Sequence, residues 1–188
     1  MSTPTECSTE GFSKTACGFV IEFVDIISKR MLSYNMLSVS EGWPASALYT
    51  YVNDDIYNAL PSELKAGIID TYTVSGYGAD GSSNNITTDK LYLLSSAEIW
   101  ENGTSQDTAV NVTRQLDYYK SIGVTTNNYS GAIKKYNGSD TIWWLRSARS
   151  NSSNSFITVE SDGNIGSYPP GYQDTYYYNG VSPAFRIG

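Results

Sequence analysis

The chain has 188 residues, 40% hydrophobic and 13% aromatic, with 12 Lys and Arg against 19 Asp and Glu, a net charge of −7. That length suits a single domain able to bury a real core. The acidic balance disfavours nucleic acid and anionic membrane surfaces as partners, and no apolar run reaches the length of a membrane span. Histidine is absent, which excludes Ser-His-Asp and Cys-His machinery and His-ligated metal sites.

Residues 1–17 read as a polar N-terminal extension. Glu6 and Glu10 lie where a secretory signal would be basic or apolar, so no signal peptide is expected in this stretch. Cys7 and Cys17 are the only cysteines; they can close a short loop in an oxidising compartment or remain two free thiols.

A single domain is expected over 18–188. Phe19 to Ile27 alternates apolar residues with Glu22 and Asp25, a strand with one buried face. Trp43-Pro44-Ala45 opens a helix in which Leu48, Val52 and Ile56 recur every four residues. Pro61 starts a second short helix with Leu64 and Ile68 on its inner face. Ile69 to Ser75 reads as a strand, Gly76 to Asn85 as a loop, and Lys90 to Leu94 as another strand.

Ser95-Ser96-Ala97-Glu98 spells a capping box for a helix carrying Ile99 and Trp100. Glu101 to Thr108 is loop, and Arg114 to Ile122 is helical with Gly123 as its stop. Thr125 to Asp140 is loop-rich. Strands follow at Ile142 to Arg146 and Phe156 to Glu160, with Ser161-Asp162-Gly163-Asn164 as a tight turn. Val181 to Ile187 makes a last strand that Pro183 confines to an edge or bulge. Strands at both ends with helices between them predict an α+β fold.

The passage from Ser147 to Gly180 stands apart. It lacks Lys, Met, Trp and His, and its only Glu and Gln are Glu160 and Gln173. Ser, Asn, Tyr, Gly and Asp dominate, as in antibody contact loops, where Tyr supplies contact area at low entropic cost. Alternation along Tyr176-Tyr177-Tyr178 must turn some of these rings inward.

Other chemistry is weaker. Ser62-Glu63-Leu64-Lys65 spells Ser-x-x-Lys without the other motifs of that enzyme class. Asp54, Asp55, Asp80 and Asp89 are acidic candidates for calcium in no EF-hand spacing, and fit a solvated acidic surface better. Gly76-x-Gly78 precedes no helix and is a loop.

Five motifs in order, Gly42-Trp43-Pro44-Ala45-Ser46, Tyr57-Asn58-Ala59-Leu60-Pro61, Thr88 to Ser95, Trp143-Trp144-Leu145-Arg146-Ser147 and Gly180-Val181-Ser182-Pro183-Ala184-Phe185, span nearly the whole chain from Phe19. Together they resemble the bacterial and phage domains of C-type-lectin-like fold, formylglycine-generating-enzyme-like subclass, that serve as variable proteins of diversity-generating retroelements. The resemblance implies that the N- and C-terminal strands pair, with Phe19-Val20-Ile21 beside Phe185-Arg186-Ile187. It also implies that Trp143, Trp144 and Leu145 brace a variable region over 147–180.

In such proteins, error-prone copying at adenines rewrites the C-terminal codons, and adenine-adenine-pyrimidine codons never yield Lys, Glu, Gln, Met or Trp. Glu160 and Gln173 should then be fixed positions. The implied ligand-binding face comprises Arg149, Asn151, Ser152, Ser153, Asn154, Ser155, Thr158, Asp162, Asn164, Ser167, Tyr168, Tyr172, Asp174, Tyr176, Tyr177 and Tyr178. Phe156, Val159 and Gly163 are scaffold. The enzymes of that fold depend on C-terminal cysteines, and both cysteines here lie near the N-terminus, so a non-enzymatic binder without cofactor or metal is expected. Its partner would be a protein or a surface glycan on another cell or phage host, met at a cell surface or on a phage particle. A fixed-specificity carbohydrate- or protein-binding adhesion domain of the same fold is the alternative.

Overall fold

The computed structural model describes residues 4–32, 42–78, 83–150, 155–166 and 178–188. After a 3-10 turn at Thr5–Ser8 come β1 (Phe19–Glu22) and β2 (Ser28–Arg30), then a 3-10 turn at Trp43–Ala45. One continuous helical run follows: α1 (Ala47–Thr50), a π-helical stretch (Tyr51–Ile56) and α2 (Tyr57–Ala59). Beyond it lie α3 (Ser62–Gly67), β3 (Ile68–Ile69), β4 (Thr71–Gly76), β5 (Asn84–Asp89), α4 (Ser96–Ile99) and α5 (Asp117–Ser121). The chain ends with β6 (Lys135–Tyr136), β7 (Ser139–Asp140), β8 (Trp143–Ala148), β9 (Phe156–Val159), β10 (Asn179–Val181) and β11 (Ala184–Ile187). The fold is α+β, as expected.

Four small sheets carry the strands, ordered β1-β11-β3, β2-β10-β8-β9, β4-β5 and β6-β7. The terminal strands pair antiparallel, Phe19 opposite Ile187 and Ile21 opposite Phe185. β8 pairs antiparallel with β9 through Trp143–Val159 and Trp144–Thr158, and parallel with β10 at Gly180.

Two apolar cores flank the four-stranded sheet. Trp143, Leu145, Ile157 and Val159 enter one, with Tyr92, Trp100 and Tyr119. Trp144, Ala148, Phe156 and Val181 enter the other, with Trp43, Leu48 and Val52. Period-2 alternation divides each strand's side chains between the two. β8 and β9, covered on both faces, have no solvent-facing set, which is why they are mostly apolar, whereas β2 at the edge is polar.

Several expectations are corrected. The strand expected over Phe19–Ile27 stops at Glu22, because the chain turns over Phe23–Ile27 to leave one sheet for the other, which it enters as β2 at Ser28. Its apolar side chains are not all inside: Phe19, Ile21 and Val24 are exposed. Lys90–Leu94 is not a strand; Leu91–Leu94 are buried, and Tyr92 bridges Ala184. The strand is the preceding Asn84–Asp89, paired with β4, and its first two residues and Gly76 of β4 come from the expected loop. The helix over Arg114–Ile122 is confined to α5, and the final strand splits into β10 and β11 at Ser182-Pro183.

The first 17 residues are not a detached extension. Cys7 and Cys17 form a disulfide, and Ser13, Thr15, Ala16 and Cys17 are buried. Among the described residues, no helix is long and apolar enough to cross a membrane.

Candidate functional site

The proposed recognition segment springs from β8, and the residues of β8 are tied down one by one. The Trp143 indole N–H donates to the Ala132 carbonyl at 3.2 Å, and that of Trp144 to the Arg30 carbonyl at 2.9 Å. Consecutive indoles are thereby pinned on opposite faces. Arg146 is fully buried. Its guanidinium meets both carboxylate oxygens of Glu98, at 2.6 and 2.5 Å, and donates to the carbonyls of Leu93 and Val74 and to the Thr15 hydroxyl.

Glu98 in turn accepts the Ser95 backbone N–H at 2.9 Å, the N-terminal half of the expected capping box, and the hydroxyls of Thr15 and Thr113. Burial works to raise the Glu98 carboxyl, but the adjoining Arg146 guanidinium outweighs it and holds the group below the usual carboxylate range. The pair is a structural strut with every neighbour accounted for.

The next step along β8 is equally fixed. Ser147 Oγ donates to Asp107 and accepts the Ser96 N–H at 2.9 Å. Asp107 also accepts from Ser96 Oγ at 2.8 Å and from the Ala109 N–H at 3.0 Å. The chain then passes through Arg149, whose N–H donates to the Ser155 carbonyl at 3.0 Å, and Ser150, whose N–H donates to the Gln106 carbonyl at 2.8 Å. Sequence reading missed Asp107 and the Glu98–Arg146 pair as supports; the only signal was Glu98 in the capping position.

Of the sixteen expected face residues, Asn151, Ser152, Ser153, Asn154, Ser167, Tyr168, Tyr172, Asp174, Tyr176 and Tyr177 lie outside the described residues, as does the expected fixed position Gln173. Arg149 is half-buried and Tyr178 is exposed.

Ser155 and Thr158 are corrected: both are buried, and Thr158 Oγ1 donates to Glu160 at 3.0 Å. Thr158 lies in β9, which has a core on each face, so alternation offers it no outward side, and Ser155 immediately precedes that strand. Asp162 and Asn164 are accessible but engaged in the turn. Asp162 Oδ1 accepts the Asn164 N–H at 2.9 Å, and Asn164 Oδ1 accepts the Ile165 N–H at 2.8 Å.

Gly163 closes that turn with φ +91°, where a Cβ would lie 2.2 Å from the Tyr129 carbonyl oxygen. Gly180 is constrained by approach: a Cβ there would meet Ile26 Cδ1 at 2.5 Å.

The described face residues do not converge on one spot. Arg149 and Ser155 lie at the Ala148 end of the β8–β9 pair. The turn holding Asp162 and Asn164 follows Val159, at the Trp143 end. Tyr178 also lies at the Trp143 end, because β10 begins there in parallel with β8. The two ends are separated by about 17 Å of strand.

The remaining chemical candidates are engaged in ordinary contacts. Ser62 Oγ bonds Glu63, and Lys65 Nζ bonds the Asn58 carbonyl, so the Ser-x-x-Lys pair does not meet. Asp89 is buried, accepts from Tyr49 and Thr87 at 3.0 Å each, and is pushed up by burial. No group of three or more carboxylate or thiol residues with metal-ligand geometry occurs among the described residues.

Residues 24–188 match the family described as Domain of unknown function (DUF6273). The chain belongs to that family. No curated protein and no solved structure matches it. The DUF6273 match begins at Val24, beyond the disulfide loop and β1. In this chain, then, Thr15 on the Glu98–Arg146 strut and β1, the partner of β11, are contributed from outside the matched span.

Proposed function

We propose that this DUF6273 chain is a non-enzymatic ligand-binding module of C-type-lectin-like fold, formylglycine-generating-enzyme-like subclass, whose C-terminal surface is rewritten by a diversity-generating retroelement. The observation that carries the reading is the contrast along one stretch of chain. A Ser, Asn, Tyr, Gly and Asp passage, interrupted by the buried strand β9, is bounded by β8, buried at every position, and by Val181 to Phe185, also buried. Substitution is cheap on such a passage and expensive in its walls, where large-to-small changes cost roughly 2–5 kcal/mol. The antiparallel closure of the terminal strands supports the fold.

The variable positions on this reading are Arg149, Tyr178 and those in 151–154, 167–172 and 174–177, with Gln173 fixed. Ser155, Thr158, Asp162 and Asn164 join the scaffold. The partner is a protein or surface glycan on another cell or phage host, met at a cell surface or on a phage particle.

A fixed-specificity adhesion domain of the same fold is the second reading. It is favoured by the use of Asp162 and Asn164 side chains to build the turn, which substitution would undo. The genomic locus separates the two. A neighbouring reverse transcriptase with a near-copy of the final coding segment, differing at adenines, is the result expected; a locus with neither leaves the fixed binder.

A further inference from the structure

β1 is the edge strand of its sheet, paired on one side with β11 and on the other with no described strand. Its register fixes which backbone groups are free. The Phe23 N–H donates to the Pro183 carbonyl, continuing the sequence of partners Phe19–Ile187 and Ile21–Phe185. In an antiparallel pair the residues that exchange hydrogen bonds alternate with those that do not. Phe19 and Ile21 therefore turn their amides toward β11, while Val20 and Glu22 turn theirs to the open side. The other face of β11 agrees, since Ala184 exchanges both its bonds with Tyr92.

Along that open side runs a groove of about 580 Å³ between β1 and a wall made by Leu116–Tyr119 and residues 131–135. Its rim is apolar and exposed at Phe19 (66%), Val24 (86%) and Tyr118 (61%). Its floor is polar but internally matched. Lys134 Nζ lies 3.0 Å from Glu22 Oε1 and also donates to the carbonyls of Phe23 and Val24, and the Tyr119 hydroxyl donates to Glu22 at 2.9 Å. Burial pushes the Glu22 carboxyl up, with Lys134 and Tyr119 opposing it. Among the groove's ionic groups, Glu22, Asp25 and Asp117 outnumber Lys134 and Lys135, in a chain of net charge −7.

The geometry points to a second binding site on this molecule: β1 accepts an extended, apolar peptide segment with basic flanks, which adds a strand to the β1-β11-β3 sheet. Alternating backbone donors and acceptors beside apolar walls match a peptide strand rather than a compact small molecule, and the carboxylate excess selects Lys or Arg at its ends. A second copy of this chain is a poorer occupant, because its own wall at 116–119 and 131–135 would accompany its β1 into the groove. No residue of this site lies in the 147–180 segment, so the site stands or falls independently of the proposed function.

The probe is acetyl-Lys-Val-Thr-Val-Thr-Val-Lys-amide, titrated into the full, disulfide-bonded chain and followed by backbone amide NMR. Shifts and slowed exchange at Val20 and Glu22 are expected. Two N-methylated versions, one at the Val amides and one at the Thr amides, should differ, one losing about tenfold in affinity and the other retaining it. Tyr118→Ala and Val24→Ser alter exposed side chains, so folding is preserved; each should weaken binding several-fold, and a Glu-flanked peptide should bind less well at low salt.

No response at millimolar peptide overturns the proposal, as do equal affinities of the parent and both N-methylated peptides. Protection of Val20 and Glu22 that rises with protein concentration in the absence of peptide would assign the edge to self-pairing and also overturn it.

Discussion

Arg146 and Glu98 illustrate how a single position within a motif acquires its importance. A guanidinium with no access to solvent is tolerable only while its partner is ionised beside it. Arg146→Met is expected to lower stability by about 3–5 kcal/mol, because it strands the Glu98 carboxylate, and the double change with Glu98→Leu should recover part of that loss. Urea unfolding of the three variants measures both.

The same pair fixes a pH dependence. Because the folded Glu98 carboxyl is held below its ordinary range, its contribution is complete above the unfolded value and is lost as pH falls through the folded one. Stability curves should therefore fall at acid pH more steeply in the native chain than in the double variant. At Gly180 the constraint is space. Gly180→Ala is expected to destabilise by about 1–3 kcal/mol through contact with Ile26, with Ile26→Val relieving part of it.

At the scale of elements, the N-terminal segment is closed on itself by the Cys7–Cys17 disulfide and tied to the rest by Thr15 on the central ion pair and by the Ser13 and Lys14 amides on the Val112 and Tyr72 carbonyls. Replacing both cysteines by serine, or adding reductant, is expected to lower stability by about 3 kcal/mol for so short a loop. Thermal unfolding should show the native chain sensitive to reductant and the double-serine variant insensitive.

β1 offers a sharper test of register: the Phe19 and Ile21 amides should exchange slowly and those of Val20 and Glu22 quickly in the free protein. Elements with a strong local signature were legible in sequence. Leu48, Val52 and Ile56 marked a buried helical stripe, and Ser95 with Glu98 marked a helix start. β5 was not legible, because Asn84 to Asp89 is polar and owes its extended form to pairing with β4. The break between β10 and β11 was legible only as an irregularity at Pro183; a sequence cannot say that a strand changes sheets. The two-sided burial of β8 and β9 likewise hid that Ser155 and Thr158 would both be covered, since polar composition does not show a second core.

For the whole molecule, the account divides a polar passage from the walls that carry it. Its motifs were visible at both ends, but the division within the passage was not, because Asp162 and Asn164 have the composition of a contact loop and the geometry of a turn. The central claim is that variation is permitted where the scaffold does not need the side chain. Deep sequencing of the codons for 143–188 across a population carrying this gene tests it most directly. The account predicts substitutions at 149, 151–154, 167–172, 174–177 and 178, free of Lys, Glu, Gln, Met and Trp, with Ser155, Thr158, Glu160, Asp162, Gly163, Asn164, Gln173 and Gly180 constant. A single fixed sequence across the population, or changes spread equally over β8, β9 and the passage between β9 and β10, would contradict it.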